Sequence, residues 1–133
     1  MADKFSRKIR SEIMSKIRSK NTKPEITIRK ILWSKGKRYR VHDRSIFGTP
    51  DISSKSKKIV VFIDGCFWHG CKRCYTEPKT NVEFWRNKIL QNKRRRELVS
   101  TRLKQDGFKT LTFWEHDVMT NPELIANRIS KLF

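Results

Sequence analysis

The chain has 133 residues, enough for one domain with a real core and too few for two ordinary ones. Its 36% hydrophobic and 11% aromatic content argues against disorder. Against 13 acidic residues stand 32 Lys and Arg, a net charge of +19 spread over both halves, and a field of that sign attracts polyanions, usually nucleic acid.

The chain is read as a single domain, 1–133, whose first 21 residues form a basic helical segment expected to contact DNA. Residues 6–20 place Ile9, Ile13, Met14 and Ile17 on one helical face with Lys and Arg elsewhere. Thr22-Lys23-Pro24-Glu25 has the capping-box pattern and opens a helix through Ile28, Ile31 and Leu32 that ends near Gly36. Three strands follow at Arg38–Asp43, Pro50–Ser54 and Lys58–Asp64. Residues 65–80 are too rich in Gly, Cys and Lys for regular structure. Thr80-Asn81-Val82-Glu83 repeats the capping-box pattern before a long helix to about Gln105, stopped by Gly107. Phe108–Trp114 is a fourth strand, and Asn121-Pro122-Glu123 opens a final helix with Pro at its first position. The expected fold class is α/β, a small mixed sheet flanked by helices.

The longest apolar run, Ile59–Ile63, is strand-sized, so no membrane partner is expected. The charged N-terminus has no apolar segment of the secretory kind, and three clustered cysteines are no disulfide framework; a reducing cytoplasm is the expected setting. Cys66, Cys71 and Cys74 are spaced C-x4-C-x2-C in a polar loop, the knuckle that aims two thiolates at one structural zinc. The alternative is three ordinary thiols. Two histidines compete for the fourth position: His69 within the loop, and His116, which would tie the loop to the end of the fourth strand.

Asp51 starts a strand after a Gly-Thr-Pro turn, and Asp64 ends the next. If those strands pair antiparallel, the two carboxylates come near one edge, where they suit Mg²⁺. The ion would polarise a phosphate, and His69 could take a proton from the attacking water. Each has a plain alternative: Asp51 as the end of a turn, Asp64 as a strand cap, His69 as a zinc ligand, and Glu25 in its capping role alone. Phe67 and Trp68 lie between candidate acid and candidate base, where large apolar groups can wedge into a base stack. Trp85 serves equally well as core, in a stripe with Ile89, Val99 and Leu103.

Several strings together resemble the very short patch repair (Vsr) endonuclease family: Met14–Glu25, Gly48-Thr49-Pro50-Asp51, Val61-Phe62-Ile63-Asp64-Gly65-Cys66-Phe67-Trp68-His69-Gly70, Glu83-Phe84-Trp85-Arg86-Asn87-Lys88-Ile89, and Phe113-Trp114-Glu115. The resemblance implies a restriction-endonuclease-like core with a structural zinc on Cys66, Cys71, Cys74 and His116. It implies nicking of double-stranded DNA 5′ to the T of a T·G mismatch left by deamination of 5-methylcytosine, with catalytic Mg²⁺. Asp51 then looks like the magnesium-binding acid, His69 like the general base, and Glu25 like the acid that completes the site. Phe67, Trp68 and Trp85 match an aromatic wedge, with Lys88 beside them on the DNA. Asp64 stands where some members have a His, and is expected to be a second magnesium ligand. The protein is expected to act as a monomer, with mismatch-repair proteins as candidate partners. Two rivals remain: a site-specific or homing-type endonuclease without mismatch preference, and a zinc-containing DNA-binding module without chemistry.

Overall fold

A strand reading Ile-Val-Val-Phe-Ile can be satisfied only if both its faces are covered, and the fold is built around that need. The computed structural model describes residues 21–66, 69–74 and 76–133. The helix predicted over 6–20, most of the basic segment, and Phe67 and Trp68 lie outside these residues. In chain order the elements are α1 (Lys23–Ser34), β1 (Arg40–Val41), β2 (Ile52–Ser54), β3 (Ile59–Asp64), α2 (Val82–Gln105), β4 (Lys109–Trp114), α3 (Glu115–Thr120) and α4 (Pro122–Ser130).

The strands form one sheet in the order β1-β2-β3-β4. β1, β2 and β3 pair antiparallel, while β4 runs parallel to β3, with Ile59 opposite Lys109 and Asp64 opposite Trp114. A parallel neighbour needs a crossover, and α2 supplies it. All six residues of β3 are buried. On one face Ile52, Ile59, Val61 and Ile63 pack with Ile28 and Leu32 of α1, Val118 of α3, and Ile125 and Ile129 of α4. On the other, Val60 and Phe62 pack with Val99 and Leu103 of α2 and with Ile46. A three-layer arrangement results, and the C-terminal ends of β3 and β4 open at one end of the sheet, beside the start of β2.

The elements differ from expectation mainly at their ends. β1 and β2 are shorter than predicted because His42 (φ 49°) and Thr49 (φ 48°) leave the extended region, and Pro50 has no N–H for the ladder. At α1 the Thr22 Oγ1 accepts from the Glu25 amide, but Glu25 reaches past Thr22 to the Asn21 amide at 2.8 Å. The second capping box does not form: Asn81 caps α2 from a left-handed conformation (φ 54°) with no side-chain bond to the helix. α3 has no counterpart among the predicted elements; six residues are too few for a helical period to show in sequence.

Gly48 fixes the approach of the loop before Asp51 to α2. Its φ is +84°, and a Cβ there would lie 2.3 Å from Cγ1 of Val99, itself buried. Gly48→Ala is therefore expected to destabilise the protein by about 2–4 kcal/mol, through backbone strain and overpacking together. Urea unfolding checks this; an unchanged midpoint would mean the loop gives way freely.

Candidate active site and metal centres

Three buried acids sit at the open end of the sheet: Glu25, Asp51 and Asp64, respectively 1%, 9% and 4% exposed. Ionised carboxylates are rarely buried without partners, so their surroundings carry information. Glu25, in the first turn of α1, accepts from the Asn21 amide and from Nη2 of Arg29 at 2.9 Å. Asp51 accepts from the Ile63 amide at 2.6 Å, which pins it against the end of β3. His42 lies between the two: its Nε2 is 3.4 Å from Glu25 Oε2 and its Nδ1 is 3.7 Å from Asp51 Oδ1. One ligand atom from each of Glu25, His42 and Asp51 falls within 4.8 Å of the others, a set that can hold a metal ion.

Burial, together with the charge of Glu25, pushes the Asp51 carboxyl up to about 7, against the lowering effect of the Ile63 amide. Without a cation the site thus retains a proton near neutrality, and a divalent ion fits that excess of buried acid. The folded value lies above the ordinary carboxylate value, so this contribution to stability is full below about pH 4 and is lost as pH rises through about 7. Asp51→Asn is therefore expected to stabilise the Mg²⁺-free, zinc-loaded protein at pH 8 by on the order of 2–4 kcal/mol and to leave it nearly unchanged at pH 4. Melting curves at both values test this; no gain at pH 8 would count against a buried, cation-seeking Asp51.

Asp64 is not in that cluster, although β2 and β3 pair antiparallel as expected and Asp64 still raises the Asp51 carboxyl. Its carboxylate is turned onto Arg96 of α2, which donates to Oδ1 from Nη2 at 2.7 Å and from Nε at 3.1 Å. The Arg96 guanidinium also lies 3.8 Å over the Phe62 ring. On the other side of Asp64 is His69, with Nε2 3.6 Å from Oδ1. The His69 Nδ1 is buried and has no hydrogen-bond partner among the described residues. Burial holds the His69 pKa below its ordinary value, against the opposing pull of Asp64. A cavity of about 550 Å³ opens beside this group, with Lys72, Arg73, Lys93 and Arg96 in its wall. Cationic walls beside the His69 imidazole suit a phosphate group.

The four expected zinc ligands converge. Cys66, Cys71, Cys74 and His116 bring ligand atoms within 4.8 Å of one another. The His116 Nδ1 lies 3.3 Å from the Cys66 Sγ and 3.6 Å from the Cys71 Sγ. Tetrahedral zinc with ordinary Zn–S and Zn–N bonds would set such S···N separations at ~3.5 Å. His116 Nε2 is 3.2 Å from Asp117, which directs the ring proton away from the thiols and leaves Nδ1 as the donor. The Cys66 amide donates to Glu115, so two side chains of α3 hold the loop. Burial pushes the Cys66 thiol up to about 12, a cost that a bound cation would remove. His69 is outside this set.

Of the expected DNA contacts, Trp85 is half-buried near the start of α2, edge-on to Phe84 with ring centroids 5.0 Å apart. Lys88 is exposed one turn later. Three residues escape a reading of the sequence: His42, Arg29 and Arg96. Arg96 carries a signal, since it shares the helical phase of Ile89, Val99 and Leu103 and an Arg in a core stripe calls for a buried anion. His42 carries only its rarity, being one of three histidines in the chain.

The chain is similar to known proteins. The family model for the DNA mismatch endonuclease Vsr matches residues 2–76. A type II nicking enzyme of Haemophilus parainfluenzae, V.HpaIIP, is 44% identical over 133 residues, covering 97% of this chain and 94% of that protein. The DNA mismatch endonuclease Vsr of Escherichia coli is 36% identical over 117 residues, covering 86% and 74%. Among solved structures, the catalytic domain of the homing endonuclease I-Bth0305I matches the fold with a TM-score of 0.54 at 20% identity, covering 84% of this chain and 94% of that one.

Proposed function

Because the chain belongs to the Vsr family of DNA endonucleases, we propose that it nicks one strand of a duplex 5′ to the T of a T·G mismatch, by Mg²⁺-dependent hydrolysis. The observation that carries this reading is the gathering of three buried acids at one end of the sheet, Glu25 and Asp51 on either side of His42 and Asp64 facing His69, in a domain of charge +19. A domain built only to bind DNA has no use for three buried acids facing a polyanion. Nicking is supported by the names of the type II relatives, and the mismatch by the family name and the Escherichia coli relative.

Asp51 and Glu25 would hold Mg²⁺, which supplies charge neutralisation at the scissile phosphate when bound. Asp64, whose carboxylate is already held by Arg96, favours the proton on the facing Nε2 of His69 instead of binding the ion. With Nε2 protonated, the buried Nδ1 is the ring's remaining acceptor and the proposed base toward the attacking water. Lys72, Arg73 and Lys93 line the cavity that His69 also borders and would orient the phosphate strand. Phe67, Trp68 and Trp85 are the proposed wedge at the mismatch, with Lys88 on the backbone. Zinc on Cys66, Cys71, Cys74 and His116 would hold the loop that carries His69 and so fix the base in place.

Two measurements test this. Nicking rates on matched and T·G duplexes of one sequence, with Mg²⁺, should differ by at least about a hundredfold if opening the duplex needs an unstable pair. Equal rates would remove the mismatch while leaving the nuclease. The binding constant should also fall steeply with salt, since many phosphates are neutralised by Lys and Arg; a flat dependence would contradict the backbone contacts.

A further inference from the structure

His42 is used neither by the zinc set nor by the proposed base, yet it is mostly buried between the two acids of the catalytic cluster. A guanidinium has no acceptor, so the 3.0 Å contact from Arg29 Nη2 to His42 Nε2 requires the imidazole nitrogen to accept. The same Nη2 donates to Glu25 Oε2 at 2.9 Å. An imidazole lone pair and a carboxylate lone pair therefore converge on one cationic group, with Asp51 Oδ1 3.7 Å from the other ring nitrogen. The backbone supports this placement: His42 is held at φ 49°, and its amide donates to the Asp51 carbonyl at 3.3 Å. Non-glycine residues keep such a conformation where the surrounding structure, and often function, requires it.

Ligands around an ion with ~2.1 Å bonds stand ~3 Å apart when adjacent and ~4.2 Å apart when opposite. The three donors, all within 4.8 Å, need only a small contraction once Arg29 turns aside. The donor set is two carboxylates and one imidazole. Magnesium gains little from a nitrogen ligand, whereas first-row transition ions gain more.

We propose that His42 is the nitrogen ligand of the catalytic metal site, completing Glu25 and Asp51, and that the site on this account favours Mn²⁺ over Mg²⁺ by more than two carboxylates alone would. The proposal rests on the reading of Glu25 and Asp51 as the acids of that site. Zinc-loaded full-length protein is titrated with Mn²⁺ by the loss of the free-ion EPR signal, and Mg²⁺ affinity is read by competition. His42→Ala and His42→Gln should weaken Mn²⁺ binding about tenfold or more and Mg²⁺ binding by less than about threefold. Pulsed EPR of bound Mn²⁺ should show a directly coordinated imidazole nitrogen that disappears in both variants. His42→Gln keeps an acceptor for Arg29, and its melting curve and zinc content confirm that the fold is intact. An unchanged Mn²⁺ affinity, an equal fall for both ions, or the absence of a nitrogen coupling in the wild type would overturn the proposal. Asp51→Asn separates the two levels: it should weaken both ions, and if it weakens neither, the active-site reading itself fails.

Discussion

Asp51→Ala is expected to lower Mg²⁺-dependent nicking by about a thousandfold or more, while zinc content and DNA affinity stay near wild type. Loss of the metal's charge at a scissile phosphate removes several kcal/mol of transition-state stabilisation, and ~1.4 kcal/mol is a factor of ten in rate. Stability changes in the same variant come from opposed effects. Removing a buried carboxyl held up at about 7 relieves the repulsion with Glu25. Removing its Oδ2 also strands the Ile63 amide, at a cost of ~1–3 kcal/mol. Asp51→Asn keeps an acceptor for that amide and should lose activity to a similar extent, so a folding defect cannot be mistaken for a catalytic one. Retained Mg²⁺-dependent nicking in both variants would refute the assigned acid.

Removal of zinc is the second large effect. Among the described residues the loop from Cys66 to Cys74 is held by the backbone bonds Cys71 N to Cys66 O and His69 N to Gly65 O, by the Cys66 amide on Glu115, and by contacts to its thiols, including the Arg73 and Cys74 amides on Cys71. The ligands join this loop to α3 across some forty residues of chain, the kind of closure a structural metal supports best. Structural zinc sites bind with ~10–16 kcal/mol in small peptides, comparable to the whole stability of a domain this size. Chelation, or His116→Ala with loss of bound zinc, should therefore cost several kcal/mol and lower Tm by more than about 10 °C. Removing Mg²⁺ alone should lower Tm by clearly less than removing zinc. A zinc-free protein with an unchanged melting curve would refute the ligand set.

How much of this the sequence discloses depends on whether a feature is local. The run Ile59–Ile63 announces a strand covered on both faces because burial of both faces leaves no alternation. The Cys66–Cys74 spacing announces the knuckle because two thiolates on one turn are a local geometry. His116, in contrast, joins those thiols only through the parallel pairing of β3 with β4, which sets Asp64 beside Trp114; spacing leaves it level with His69, and the family resemblance favours it. Asp51 and Asp64 are both legible as strand-end acids, yet their partners are not. Arg96 reaches Asp64 across 32 residues of chain, and Arg29 and His42 meet from a helix and a strand end. The charged middle of α2 reads as a part of the helix that cannot be buried, and for Arg96 that is incomplete, because its planar cation stacks on a ring and pairs with a buried carboxylate. The capping box at Thr80–Glu83 is a pattern without its geometry, since the left-handed turn at Asn81 already starts the helix.

The most direct test uses one duplex with a single T·G mismatch, its two strands labelled separately, with Mg²⁺ and zinc-loaded protein. The expected result is a single cut 5′ to the mismatched T, on that strand only, absent from the matched duplex and from Asp51→Asn. Cutting of both strands, or of matched and mismatched duplexes at the same rate, would contradict a mismatch-directed nicking enzyme.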